Sequence, residues 1–279
     1  MRNRGLTYIS ILCALFGCVP AGCKNRANQQ NEPEIAVTNS YLQCAVTDLC
    51  GQEVDVLCLA PPGMCPGHFD ISPAQVKQLC KCKILLLFDF QKSGEESLSR
   101  IKQNGLKTAF VKTPPGLCVP EAYLATCREV CDILSSQYHD RADRYKKRLR
   151  LVEKRMENLN HEFVTEIEQS GLDSAKVLAS NRQAKFCNWL GLETIATFVG
   201  SDAETVSNID HCLRKAQDQG AKLVVANKQQ GTGLAKALAR RLGVKMVVFS
   251  NFPALDGRRD PFDRLVRQNV KALLEAAEQ

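Results

Sequence analysis

Residues 138–168 read YHDRADRYKKRLRLVEKRMENLNHEFVTEIE, a run without proline or glycine in the middle of a 279-residue chain. Tyr145, Leu149, Val152, Met156, Leu159 and Phe163 recur at intervals of three and four, so one apolar stripe is set against an otherwise charged surface. The spacing predicts one amphipathic helix of about 30 residues, which at 1.5 Å per residue spans about 45 Å. A helix of that length can run along two small lobes as a rigid spine, and such a connector implies limited hinge motion.

The segments on either side have the same rhythm. Before the spine, short apolar runs at 35–39, 54–59, 84–88 and 106–111 alternate with helical patterns near 41–50, 73–82, 95–103 and 120–136. After it, runs at 176–179, 193–198, 223–226 and 245–249 alternate with helical patterns near 182–190, 203–219, 232–242 and 260–278. Strands separated by helices imply parallel sheets covered on both faces. The expected fold class is α/β. Two Rossmann-like lobes, 34–136 and 171–279, are joined by one long backbone helix over 137–170.

The first 33 residues differ in kind. Arg2 and Arg4 form a basic start and residues 6–16 are almost wholly apolar, a run shorter than the roughly 20 residues that span a bilayer as a helix. Leu15-Phe16-Gly17-Cys18 follows at once and resembles a bacterial lipoprotein signal. Residues 1–17 are therefore expected to be removed and Cys18 to carry lipid, in preference to Cys23, which has Pro20 at −3. A plain secretory peptide is the alternative. Residues 18–33, rich in Asn, Gln and charge, read as a flexible tether. The mature protein is expected in the periplasm or at the cell surface, held to a bacterial membrane by lipid.

Composition narrows the function. With 44% hydrophobic and 24% charged residues the chain can bury a substantial core. The net charge of +7 includes Arg2 and Arg4 and is otherwise spread over many helices, so no nucleic-acid partner is expected. No nucleophile, base and orienting residue stand at plausible spacing, and the cleft loops offer no carboxylate pair, which argues against an enzyme. His139, His161 and His211 read as solvated or capping residues. The stretch KQQGTG at 228–233 lacks the spacing of a nucleotide loop and reads as a strand-to-helix turn.

Several segments carry a family resemblance. EIAVTNSYLQCAV (34–46), APPGMCPGHFDISPAQVKQLCKCKILLLF (60–88) and CVPEAYLATCREVCDIL (118–134) lie before the spine. VLASNRQAKFCNWLGLETIATF (177–198), GAKLVVANKQQGTGLAKALARRLGVKMVVFS (220–250) and RQNVKALLEA (267–276) lie after it. Together they resemble the zinc/manganese solute-binding proteins of ABC importers, of the cluster A-I type, over residues 34–277. The resemblance implies two α/β lobes on a backbone helix, a metal ion captured in the interlobe cleft, and delivery to an ABC permease by a monomeric receptor.

The family's ligand positions have been rewritten. Its first loop reads Pro-Gly-x-Asp-Pro-His, and here the histidine position falls on Gly67, with His68 displaced by one. The second histidine falls on Pro115 and the third on Asn181, or on Ser180 with a different gap. The two acidic positions fall on Asn227 and Ser250. In their place Cys65 and His68 stand in the first loop, and Cys118 in the second. Thiolate sulfur and imidazole nitrogen suit zinc, or a softer ion such as copper(I), with manganese a third option. Cys65, His68 and Cys118 are the candidate metal ligands, with Asn181 and Asn227 closing over the ion or orienting its water. A Cys65–Cys118 disulfide is the competing reading.

Fourteen cysteines are many for an exported chain, and without Cys13, Cys18 and Cys23 eleven remain. An oxidising compartment should pair some of them, Cys44 with Cys50 being one close pair. Cys58, Cys127, Cys131 and Cys187 read as packing residues. Two other functions stay open: a receptor-like lipoprotein that acts through protein contacts, and an importer receptor for an organic or chelated-metal ligand.

Overall fold

The computed structural model describes residues 33–51, 54–60, 71–92, 105–200 and 202–278. The signal segment, Cys18, the tether up to residue 32, the 95–103 helix, and the loop bearing Cys65 and His68 lie outside the described residues. Asn31–Gln279 form one compact unit.

Strands β1 (Ile35–Val37), β2 (Val56–Cys58), β3 (Ile84–Phe88) and β4 (Lys107–Val111) form a parallel sheet in the order β2-β1-β3-β4. Strands β5 (Lys176–Ser180), β6 (Glu193–Phe198), β7 (Leu223–Asn227) and β8 (Lys245–Phe249) repeat it as β6-β5-β7-β8. In each sheet the winding reverses between the first and third strands, and the crevice at their carboxyl ends is where open α/β sheets place ligands. The central β3 is the apolar run ILLLF, buried at all five positions, as a strand covered on both faces must be.

The helices are α1 (Ser40–Cys50), α2 (Pro73–Leu79), α3 (Pro120–Gln137), α4 (Ala142–Ser170), α5 (Ala184–Trp189), α6 (Val206–Gln219), α7 (Gly233–Leu242) and α8 (Pro261–Glu278). Local chemistry sets their starts. Asn39 Oδ1 accepts from Leu42 N at 3.0 Å ahead of α1, and Ser72 and Gln75 form a capping box around Pro73 ahead of α2.

The spine is α4, and it begins four residues later than the periodicity suggests. Tyr138 has a non-helical backbone (φ −131°, ψ 73°) and caps α3, its N–H donating to Leu134 O at 2.8 Å. A short 3-10 turn, His139–Arg141, then redirects the chain. The 29 residues of α4 bury Tyr145, Val152, Met156, Leu159, Phe163 and Ile167 on one stripe and end at Gly171 in the left-handed conformation.

The two lobes share one core. Val37, Phe88, Phe163, Val177 and Phe249 belong to a single apolar cluster, while smaller clusters back each sheet separately. At the lobe junction Tyr123 of α3 stacks on Phe262 of α8, with centroids 3.9 Å apart and planes 9° apart, and Tyr41 of α1 meets Phe262 edge-on at 5.9 Å. Arg155 of the spine pairs with Asp48 of α1 and lies 3.2 Å from Asp263 of α8.

Candidate functional site

The loop from β4 to α3 starts in the first lobe and reaches across to touch the second, at Lys185 and Ser250, before α3 packs back against α1. Asp89 anchors its start, accepting from Thr113 Oγ1 at 2.6 Å and from Thr113 N at 3.1 Å. The Thr113 hydroxyl holds the Asp89 carboxyl below its ordinary value. Gly116 follows at φ 76°, and a Cβ there would stand 2.8 Å from the Lys185 Cβ of α5. Glycine is required by both the backbone conformation and the close approach. That approach sets Cys118 against the second lobe.

Cys118 is 0% exposed. Its Sγ donates to Ser250 O at 2.9 Å, just past the carboxyl end of β8, and lies 3.4 Å from Asn251 Oδ1; Asn269 Nδ2 donates to the sulfur at 3.4 Å. Burial pushes the thiol well above its ordinary range, so it is protonated at neutral pH. The surrounding amides form a network. Asn269 accepts from Ser250 N at 3.0 Å and donates to Ser250 O at 2.9 Å, Gln229 donates to Ser250 Oγ at 3.0 Å and accepts from Asn251 N at 3.0 Å, and Gln183 donates to Asn251 Oδ1 at 3.0 Å. Gln183 Oε1 is buried and has no hydrogen-bond partner among the described residues.

Both switch-point crevices are bridged by the chain's own side chains. In the first lobe Thr38 Oγ1 donates to Gln91 Oε1 at 2.7 Å, and in the second Ser180 Oγ donates to Gln230 Oε1. Asn181 accepts from Gln230 Nε2 at 3.2 Å. Asn227 Oδ1 caps the turn Lys228–Gln230 by accepting from Gln230 N at 3.0 Å. The segment KQQGTG is thus the strand-to-helix turn expected of it. Asn181, exposed just past β5, and Asn227, buried at the end of β7, are 3.2 and 3.0 Å from the Gln230 atoms they hold.

Of the three sulfur and imidazole candidates, Cys118 alone lies among the described residues. No group of three His, Cys, Asp or Glu side chains able to hold a metal ion occurs among the described residues. Cys44, Cys50, Cys58, Cys82, Cys118, Cys127, Cys131, Cys187 and Cys212 are free thiols, so the expected Cys44–Cys50 pairing is not found. Both are buried on α1, six residues apart, facing the core. Cys127, Cys131 and Cys187 pack in the core as expected, and His139, His161 and His211 are exposed. Gln183, Asn251 and Asn269 were not legible as site residues. Asn269 had one signal, an amide on the apolar face of the last helix.

A hollow of about 880 Å³ opens at the other end of the second lobe, at the amino ends of β5, β7 and β8. Lys176, Lys222 and Lys245 are among its lining residues, together with Gly171, Gly220 and Gly243, which follow the ends of α4, α6 and α7. It is remote from the cleft. Among the described residues, no helix is long and apolar enough to cross a membrane.

Two parallel-sheet lobes on one helical spine, with a polar seam between the carboxyl ends of their strands, define a solute-binding protein of the rigid-connector class. Residues 118–276, more than half of the chain, match the profile of the zinc-uptake complex component A family, ZnuA, described as periplasmic. The chain belongs to that family. Its fold is shared with a crystal structure of ZnuA (TM-score 0.69, 17% identity, 88% of this chain and 100% of that one). It is also shared with a manganese-bound periplasmic metal-binding protein from Candidatus Liberibacter asiaticus (TM-score 0.71, 14% identity, covering 87% and 98%). A third match is the laminin-binding protein Lbp of Streptococcus pyogenes (TM-score 0.69, 13% identity, covering 88% and 98%). No curated protein sequence matches.

Proposed function

We propose that the chain is the extracytoplasmic receptor of an ABC importer, tethered by lipid at Cys18, and that it captures a metal ion in the interlobe cleft for delivery to a membrane permease. Family membership supports the transport role. The ligand reading rests on Cys118, a thiol held at the seam of the two lobes beside Asn251, whose Oδ1 also takes the amide of Gln183. Gln183 Oε1, without a hydrogen-bond partner among the described residues, adds a buried oxygen ligand, so the donor chemistry fits a cation. Sulfur and neutral oxygen favour zinc, then copper(I), over manganese. Cys65 and His68 of the first loop complete the proposed set. To ligate, Cys118 gives up its proton and its bond to Ser250 O, which makes capture pH-dependent. Asn181 and Asn227 close the second lobe with neutral groups, and incomplete coordination suits a carrier that must release its cargo.

The test is zinc and copper(I) titration of reduced protein, alongside Cys65→Ser, His68→Ala and Cys118→Ser, with metal analysis of protein from its native host. Cobalt(II) substitution should give a sulfur-to-metal charge-transfer band that each Cys→Ser change weakens. Affinity should fall by more than the roughly 10–100-fold typical of losing an outer partner. Equal binding by the triple variant overturns the ligand set. A second reading, an organic or chelated-metal cargo, is favoured by the uncharged wall of Ser180, Asn181, Asn227, Gln229, Ser250 and Asn251. It is supported if bare ions fail to bind while native protein carries a small molecule.

A further inference from the structure

The spine carries its charge unevenly. On the outward face of its first half Arg144, Lys146, Lys147, Arg150 and Lys154 are exposed, opposed by Asp143, whereas the second half exposes Glu157, Glu162, Glu166 and Glu168. Neighbouring cations are engaged: Arg128 pairs with Glu153, Arg141 with Glu34, Arg155 with Asp48, and Arg148 donates to Asp48 O at 2.6 Å. The five outward cations make no ion pair with any described residue. Among them stands Leu151, 63% exposed, which with Phe90 and Val206 is one of three large apolar side chains left in solvent among the described residues. A basic helix face flanked by an exposed apolar residue suits the interface of an anionic membrane, where the cations meet headgroups and the leucine enters the acyl boundary.

The position of this face matters as much as its charge. Glu34, at the start of the folded chain, is 3.2 Å from Arg141, the residue just before the spine. The amino-terminal segment therefore joins the fold at the basic end of the helix. We propose that the first half of the spine is a docking surface for anionic phospholipid headgroups, which holds the tethered receptor against the membrane. This rests on the extracytoplasmic, lipid-anchored reading for its setting.

The experiment uses the compact unit Asn31–Gln279, which lacks the lipidation site, so the surface is tested without the anchor. Binding is measured to vesicles of phosphatidylcholine with and without phosphatidylglycerol, at low and high salt. Three proteins are compared: the unchanged chain, Lys147→Glu/Arg150→Glu/Lys154→Glu on the spine, and Lys236→Glu/Arg240→Glu/Arg241→Glu on α7, which removes the same charge from another exposed helix. Each basic side chain near an anionic surface is worth about fivefold in binding. The spine variant should lose roughly a hundredfold or more, the α7 variant should bind nearly as the unchanged chain does, and neutral vesicles should capture none. Far-UV circular dichroism and Tm confirm that both variants fold. Equal loss in both variants would reduce the effect to net charge and overturn the proposal, as would an unaffected spine variant or equal binding to neutral vesicles. An unlipidated native protein would overturn the Cys18 reading alone.

Discussion

Buried thiols make this fold sensitive to alkali. Burial pushes Cys58 and Cys187 up to about 12, and Cys50, Cys82 and Cys212 up to about 11, from an ordinary 9.0. Between pH 9 and those values the unfolded chain has released protons that the folded chain keeps. The stability these thiols contribute is complete below pH 9 and is lost as pH rises toward 11–12. Tm should therefore drop steeply above pH 9, and Cys187→Ala should make the drop shallower even if it lowers Tm at pH 7 through the cavity it leaves. At Gly116 a single methyl group meets both a left-handed backbone and Lys185, so Gly116→Ala should cost about 1–3 kcal/mol. It should also expose Cys118, and the measurement is the rate at which a thiol reagent labels that residue in the native state.

At the scale of elements, the Arg155 clamp joins α1, the spine and α8. One guanidinium serves two carboxylates of low exposure, Asp48 and Asp263, and Tyr123 adds a hydrogen bond to Asp48 Oδ2 at 2.7 Å. Desolvation pushes Asp263 up to about 6 despite Arg155, with Asp260 and Asp48 adding to the rise and Arg267 opposing it. The folded chain then binds the proton more tightly than the unfolded chain, so this group's contribution is present below about pH 4 and is lost as pH rises through 6. Asp263→Asn should flatten that part of the stability profile and be well tolerated at pH 7. Arg155→Met should cost about 3–5 kcal/mol, because it leaves two acidic groups without their cation. Chemical denaturation of both variants at pH 5 and pH 7 separates the cases, and equal losses would contradict the shared-clamp account.

For the whole molecule, the shared core, the Tyr123–Phe262 stack and the clamp predict a receptor that barely closes. Small-angle scattering with and without cargo should give radii of gyration that agree within error. A clear contraction would show that the seam opens in solution. The repeated alternation of strands and helices was legible because both periodicities are written in neighbouring residues, whereas the strand order within each sheet was not; the spine was legible because 29 residues without a breaker leave few alternatives. The spine starts four residues later than its stripe implies, since Tyr138 has a non-helical backbone and its ring is buried in the shared core.

Neighbouring residues alone were enough to give two α/β lobes on one long helix, and they place a thiol, Cys118, in the loop just ahead of α3. What surrounds that sulfur follows only from the packing of distant segments. Ser250, Asn251 and Asn269 lie 132, 133 and 151 positions away along the chain, and no local pattern links them to Cys118. Their meeting depends on how the two lobes pack. That packing follows from burial of a common apolar core, which fixes the seam to within a hydrogen bond's length but leaves no periodic trace in the residues that line it.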